Sequence, residues 1–261
     1  MNKQELLEEI KKIPNFKKRD IYVMKEHNDI MLGNAEPVMR EERLIGITEE
    51  YNYPLISTVS KGYQILQFKD LYEPIINHFD EVNGELFYHF GSSVLSLFPE
   101  GDNFKTDDGK PIGLIVSNSV NKALAININF CIGVGKRKVM LPKKISSFRK
   151  LHLGNVGQLV SDYQRFIVDV KQLWRIVMEK FNRDLTEDDV KNVIAQLKLG
   201  NRYAEEVRKT FSVVEGLKLW DLFMEVVDMI SESTYRKEEN RINKLKKVSE
   251  VMYTYAVAEA L

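Results

Sequence analysis

The sequence is poor in the residues from which many enzymes and secreted domains build their sites. Cys131 is the only cysteine among 261 residues, which excludes an intrachain disulfide and a zinc site of the multi-cysteine kind. The four histidines (His27, His78, His89 and His152) show no metal-ligand spacing, and no P-loop motif is present. The sequence therefore carries no catalytic signature, and we expect no cofactor and no metal site.

Long apolar runs are also missing. No stretch approaches the about 20 apolar residues that cross a bilayer as a helix. The first residues, "MNKQELLEEIKKIPNFKK", read as a charged amphipathic helix ended by Pro14 and not as a signal peptide. Together with the single cysteine, this pattern fits a reducing cytoplasm and predicts no membrane partner.

Acidic residues are absent from a long internal span. Residues 109–161 contain no Asp or Glu, although the whole chain has equal numbers of acidic and basic residues. Within that span, residues 135–150 ("GKRKVMLPKKISSFRK") form what we call the basic segment. Its seven cations are Lys136, Arg137, Lys138, Lys143, Lys144, Arg149 and Lys150. Such a span favours contact with an anion, because no carboxylate in it repels one.

Aromatic rings accompany these cations. Phe130, Phe148 and His152 bracket the basic segment, and Tyr63 lies beside Lys61 in a predicted hairpin. Single-stranded nucleic acid needs cations for its phosphates and flat rings on which bases stack. The predicted nucleic-acid contacts are Lys61, Tyr63, Lys136, Arg137, Lys138, Lys143, Lys144, Phe148, Arg149 and Lys150. The alternative is that these cations pair with acidic helices of the same chain.

Pro142 prevents the basic segment from being one regular element. We expect a strand end, a turn and then a helix that begins near Ser146 and Ser147. The N–H groups at the start of that helix would add donors to the same anion site.

The periodicity predicts an α+β fold. An antiparallel β-rich part with one early helix fills the first three-fifths, and an all-helical part follows. The predicted units are an N-terminal arm (1–52), a β-rich α+β core (53–156) and a helical region packed on it (157–261). Residues 20–52 are expected to be a loop-rich extension, with a set of short strands as the alternative.

The helical part carries clear local signals. Residues 158–182 are expected to form one helix that buries Phe166, Val170, Trp174 and Val177. Thr186 with Asp189 predicts a helix cap, and Gly200 is expected to end the helix that follows.

Three carboxylates cluster in one polar turn. Asp102, Asp107 and Asp108 precede Gly109, and a nuclease would need such groups to hold Mg²⁺ or Mn²⁺. Their spacing matches no calcium loop, and Asp-Gly is typical of a hairpin. The turn is therefore interpreted as a solvated hairpin.

Several stretches together resemble a known family. They are "VSKGYQIL", "FKDLYEPIINHF", "GLIVSNSVNKALAININFCIGV", "KLHLGNV" and "LKLWDLFMEVVDMISES", with Tyr63, Asn118-Ser119, Cys131, His152 and Trp220 as landmarks. Over residues 53–261 this resembles the phage/plasmid-like proteins that carry a domain of unknown function. The resemblance implies a phage or plasmid origin and a bacterial host cytoplasm, and it supplies no catalytic residue. By topology alone the chain is also similar to the single-strand annealing proteins of phages, which implies a homo-oligomer.

Three functions stay open at this point. The first is a phage or plasmid-type nucleic-acid-binding protein, such as a single-stranded DNA binding or annealing protein in recombination or replication. The second is a metal-dependent nuclease or another phosphate-handling enzyme. The third is a structural or host-interaction protein that binds no nucleic acid. The sequence does not decide between DNA and RNA.

Overall fold

The computed structural model of the chain describes residues 1–27, 38–50, 55–62, 64–120, 127–141, 147–148, 156–198, 200–233 and 238–258. The helices are α1 (Lys3–Lys12), α2 (Phe68–Asn77), α3 (Val156–Phe181), α4 (Glu187–Leu197), α5 (Asn201–Thr210), α6 (Leu219–Glu232) and α7 (Glu238–Ala258). The strands are β1 (Phe16–His27), β2 (Val38–Glu49), β3 (Leu55–Val59), β4 (Val82–His89), β5 (Ser92–Pro99), β6 (Ile112–Ser119), β7 (Asn127–Val134), β8 (Arg137–Met140) and β9 (Ser147–Phe148).

The predicted α+β class is confirmed. Two antiparallel sheets with early helices precede a helical region that runs from α3 to α7. The first sheet has the order β1-β2-β3, and the second has the order β4-β5-β6-β7-β8 with β9 also paired to β7. No helix in the described part of the chain is long and apolar enough to cross a membrane.

The second sheet lies between two layers of helices. On one face, the Tyr72 hydroxyl of α2 contacts Ser93 Oγ of β5 at 2.5 Å, and α1 packs near β4 through Leu6. On the other face, α7 contacts β5 and β8. Because both faces are covered, β6 is buried along its whole length, and its sequence is nearly continuous in apolar and small residues.

The helical region follows its sequence pattern closely. The 26 residues of α3 form one unbroken helix, as predicted, and Val170, Trp174 and Val177 are buried while Phe166 is half-buried. Helix α4 begins at the predicted cap, where Thr186 Oγ1 accepts a hydrogen bond from the backbone N–H of Asp189.

Two predictions in the first half of the chain are wrong. The loop-rich extension is wrong for the described residues 20–27 and 38–49, which form strands, as the alternative had it, although the strands are long. The Lys61-Gly62 turn does not close a hairpin, since β3 pairs with β2 and residues 64–67 form no strand. Instead, the Gln67 side-chain amide forms two hydrogen bonds with the backbone of Phe16. The unit boundaries at 52 and 156 stay predictions.

Candidate nucleic-acid interface

The basic segment is attached to β7 at two places. After the turn at Gly135 (φ +62°), β8 pairs with β7 so that Arg137 lies opposite Val134. Farther along, β9 pairs with the same edge of β7, where Phe148 lies opposite Ile128. Together the two attachments cover residues 128–134 of β7, a length of about 20 Å at the usual strand rise. The described parts of the segment, β8 and β9, are therefore held along one sheet edge.

Lys136 and Arg137 differ in what surrounds them. Lys136 lies in the β7–β8 turn and is exposed. Arg137 forms an ion pair through Nε with Asp228 of α6, and the two side chains are 42% and 23% exposed. One cation thus faces solvent while its neighbour joins β8 to the helical region.

Lys138 is largely enclosed. Its ammonium group lies 2.6 Å from Glu85 Oε2 and 3.1 Å from Ser96 Oγ, and its side chain is only 15% exposed. The same group lies 6.0 Å from the centre of the Phe87 ring. Lys138 therefore bridges β8 to β4 and β5 across one face of the curved sheet.

The other predicted contacts of the basic segment are described only in part. Lys143, Lys144, Arg149, Lys150 and Tyr63 lie outside the described residues, and Phe148 is described by its backbone alone. The expected helix start near residues 146 and 147 is wrong, because Ser147–Phe148 forms β9. Pairing with the edge of β7 explains this outcome, since the extended backbone satisfies its hydrogen bonds there.

Lys61 belongs to the first sheet. It follows β3, is exposed, and its carbonyl oxygen accepts a hydrogen bond of 2.9 Å from Lys18 Nζ of β1. Lys136, Arg137 and Lys138 belong to the second sheet. The structure thus assigns the predicted cations to two sheets.

Two neighbours of the basic segment are buried. Phe130 is fully buried and packs on Phe166 with ring centres 6.1 Å apart, so no base can stack on it. Burial raises the pKa of the Cys131 thiol to about 12. A thiol with so high a pKa stays protonated and makes a poor nucleophile, which agrees with its interpretation as a small buried hydrophobic residue.

The carboxylates of the 102–108 turn are each engaged by a neighbour. Asp102 pairs with Lys105 at 2.9 Å, and Asp107 pairs with Arg175 of α3 at 2.6 Å. Asp108 pairs with Lys110 and also accepts a hydrogen bond of 3.1 Å from Trp174 Nε1. These contacts fasten the turn to α3.

No cluster of three or more potential metal ligands is present in the described ranges of the chain. His78 and His89 are exposed there, and Asp102, Asp107 and Asp108 are engaged as just described. The expected absence of a metal site stays a prediction.

Sequence reasoning missed the acidic partners of the basic segment. Glu85 and Phe87 alternate on the more exposed face of β4, while Asp228 lies on α6 among apolar residues. A weak signal was present in the sequence of β4, where the polar residues Asn83, Glu85 and His89 all fall on odd-numbered positions. No local sequence pattern links Lys138 with Glu85, because the two residues are 53 positions apart in the chain.

Asp228, the acidic partner of Arg137, also affects the pKa of Glu225 on the same helix α6. Burial raises the pKa of Glu225, and the charges of Asp228 and Glu206 raise it further. Arg137 opposes this effect and lowers the pKa. Glu225 therefore holds its proton more tightly than a solvated glutamate does.

The chain matches no protein-family model, no curated protein sequence and no solved structure. The resemblance to the phage/plasmid-like proteins therefore stays a prediction.

Proposed function

We propose that the chain is a nucleic-acid-binding protein of phage or plasmid type that holds single-stranded DNA along the basic segment. One observation carries the proposal, namely that both β8 and β9 pair with the same edge of β7. The span contains no acidic residue from 109 to 161. The described cations of the segment, Lys136, Arg137 and Lys138, thus lie in the β7–β8 turn and on β8. The bacterial cytoplasm is the compartment in which such a protein would act.

The length of this sheet edge suits a nucleic-acid strand. About 20 Å of sheet edge is long enough to face several successive phosphates of one strand. Lys136 is exposed and forms no ion pair with any residue that the structure describes. It is therefore available to contact such a phosphate. Phe148 follows the same edge and supplies the ring on which a base would stack.

A second candidate, a protein-interaction or structural role without nucleic acid, has an observation in its favour. Arg137 and Lys138 are both paired with carboxylates of the same chain. If the remaining cations are neutralised in the same way, the segment serves to join the sheet to the helical region. The nuclease alternative has less support, because the carboxylates of the 102–108 turn are already paired.

Fluorescence anisotropy with labelled 40-mer DNA and RNA, single-stranded and duplex, over a salt series separates the two candidates. If four or five cations contact phosphate, the slope of log K against log salt is about −3 to −3.5 for a single strand. Lys143→Ala with Lys144→Ala flattens the slope by about 1.4, and Lys136→Ala flattens it by about 0.7. Phe148→Ala weakens binding by about 1–3 kcal/mol and leaves the slope unchanged.

The matched control is Lys69→Ala, which removes one exposed cation of α2. It leaves both affinity and slope unchanged if the basic segment is the site. If the wild-type protein binds none of the probes at low salt, the proposal is wrong. The protein-interaction role is then the remaining candidate. Cleavage of the probe that requires Mg²⁺ would instead support the nuclease.

Assembly tests the annealing version of the proposal. The topological similarity to phage annealing proteins predicts rings or filaments, and therefore a homo-oligomer. Sedimentation velocity across protein concentrations, with and without the 40-mer, shows a species larger than the 30.4 kDa chain if the annealing version holds. A monomer under every condition leaves a simple single-strand binder.

A further inference from the structure

A cavity of about 270 Å³ opens among the last four helices. It lies on a different part of the molecule from the basic segment and involves α4, α5, α6 and α7. Its apolar floor is made of side chains that are at most 8% exposed. These side chains are Leu197, Val226, Met229, Ile230 and Val248.

The rim of the cavity is positively charged. Lys198 follows α4 in the left-handed conformation (φ +50°), while Lys244 and Lys247 lie on α7, and all three are exposed. No Asp or Glu lines the cavity within the described residues. The ammonium groups of Lys198 and Lys247 form no ion pair with any side chain that the structure describes.

We propose that this cavity binds an amphiphilic monoanion, namely a single-chain carboxylic acid of medium length. The floor offers no charged group to a polar ligand, so it favours an apolar body. At roughly 30 Å³ for each small non-hydrogen group, about 270 Å³ holds about nine of them. The carboxylate then lies at the rim, where the lysines supply the opposite charge.

The geometry disfavours a peptide helix as the occupant. An amphipathic helix needs an elongated groove for side chains at several successive turns. This cavity is instead lined by residues of four helices, and its volume is close to the lower limit for small-molecule sites. Decanoate, with nine carbons behind its carboxylate, matches both the volume and the charge of the site.

Isothermal titration calorimetry of the full chain with decanoate tests the proposal. We expect one bound decanoate per chain. Affinity falls about fourfold for each methylene removed, the equivalent of about 0.8 kcal/mol, so octanoate binds about 16-fold more weakly. Decanol and decyltrimethylammonium carry the same tail with no charge or the opposite charge, and both bind at least tenfold more weakly than decanoate.

Two kinds of variant locate the site. Lys198→Glu combined with Lys247→Glu reverses the rim charge and lowers decanoate affinity about tenfold or more, while decanol binding is unchanged. Lys209→Glu is the matched control, because this exposed lysine of α5 does not line the cavity. Val226→Phe fills the floor and abolishes binding of decanoate and decanol alike.

If Val226→Phe does not fold, the Lys198→Glu and Lys247→Glu double variant still tests the proposal. Both lysine side chains are exposed, so these substitutions do not disturb the core. The proposal is overturned if 1 mM decanoate (on the order of a weak ligand's Kd) gives no binding heat. It is equally overturned if decyltrimethylammonium binds as well as decanoate, or if the rim variants bind decanoate like the wild type.

Discussion

Arg137 on β8 forms an ion pair with Asp228 on α6, and this contact joins the most basic part of the sequence to the helical region. The two residues are 91 positions apart in the chain (137 to 228). Both side chains are partly exposed, so the pair contributes at most about 1 kcal/mol to folding. Its larger consequence concerns charge, because Asp228 neutralises a cation that could otherwise contact phosphate.

Asp228→Asn is the direct test of that competition. The substitution keeps the size of the side chain and releases the charge of Arg137. If the basic segment binds single-stranded DNA, affinity at low salt rises and the slope of log K against log salt steepens by about 0.7. The free energy of unfolding falls by less than about 1 kcal/mol. Anisotropy titrations and urea denaturation measure the two effects.

The control for Asp228→Asn is Asp80→Asn, which removes the same charge from an exposed position after α2. It raises affinity only slightly, through the net charge, and leaves the slope unchanged. An Asp228→Asn protein whose slope equals that of the wild type would show that Arg137 does not reach phosphate.

Trp174 joins α3 to the 102–108 turn and to α6. It is 3% exposed, packs edge-on against Trp220 with ring centres 5.7 Å apart, and donates a hydrogen bond to Asp108. Trp174→Ala is expected to lower the free energy of unfolding by about 3–5 kcal/mol in chemical denaturation. Val168→Ala on the same helix, where the side chain is 67% exposed, is the control and costs less than about 0.5 kcal/mol. Equal losses in the two variants would contradict the burial of Trp174.

The helices that the sequence predicted well are those with strong local signals. In α3 the apolar period extends over many turns, and in α4 the cap is encoded by Thr186 and Asp189, three residues apart. Both signals depend on contacts within a few residues, so the surrounding fold does not alter them. Gly200 shows the limit of such signals. It was expected to end α4, but α4 ends at Leu197 and Gly200 is the N-cap of α5, a helix that the sequence analysis did not identify.

The errors concern strand pairings and side-chain contacts that a local turn or charge signal does not determine. The partner of β3 is β2, so the local Lys61-Gly62 turn signal led to the wrong pairing. For the candidate site, the sequence predicted the cations but not that Lys138 would be enclosed by Glu85 and Ser96. Such neighbours arise from the curvature of a sheet, which no short window of sequence contains.

Gly113 is required by the close packing of β5 and β6. A Cβ at this position would lie 2.5 Å from the Phe98 ring and 2.8 Å from the carbonyl oxygen of Leu97. Gly113→Ala is therefore expected to lower the free energy of unfolding by about 1–3 kcal/mol in urea denaturation. Gly200→Ala is the control, because a Cβ there meets no atom within 4 Å and its φ of −60° suits any residue. If Gly113→Ala is as stable as Gly200→Ala, Phe98 does not lie where the structure has it.

Glu225 makes stability depend on pH. Burial, followed by the charges of Asp228 and Glu206, raises the pKa of Glu225 above its ordinary value of 4.5. The folded protein therefore binds this proton more tightly than the unfolded chain does. Its contribution to stability is fully present below pH 4.5 and is lost as pH rises through the higher pKa of the folded state. At pH 7 the charged carboxylate consequently destabilises the fold.

Glu225→Gln removes that charge while keeping the size of the side chain. We expect its melting temperature to exceed that of the wild type at pH 7, and the difference to shrink as the pH falls toward 4, where the wild-type carboxyl is protonated. Differential scanning calorimetry at several pH values measures this. Glu179→Gln, at an exposed position of α3, controls for the loss of one negative charge. A Glu225→Gln protein that melts below the wild type at pH 7 would mean that Glu225 is stabilised as an anion, through Arg137, more strongly than its acidic neighbours repel it.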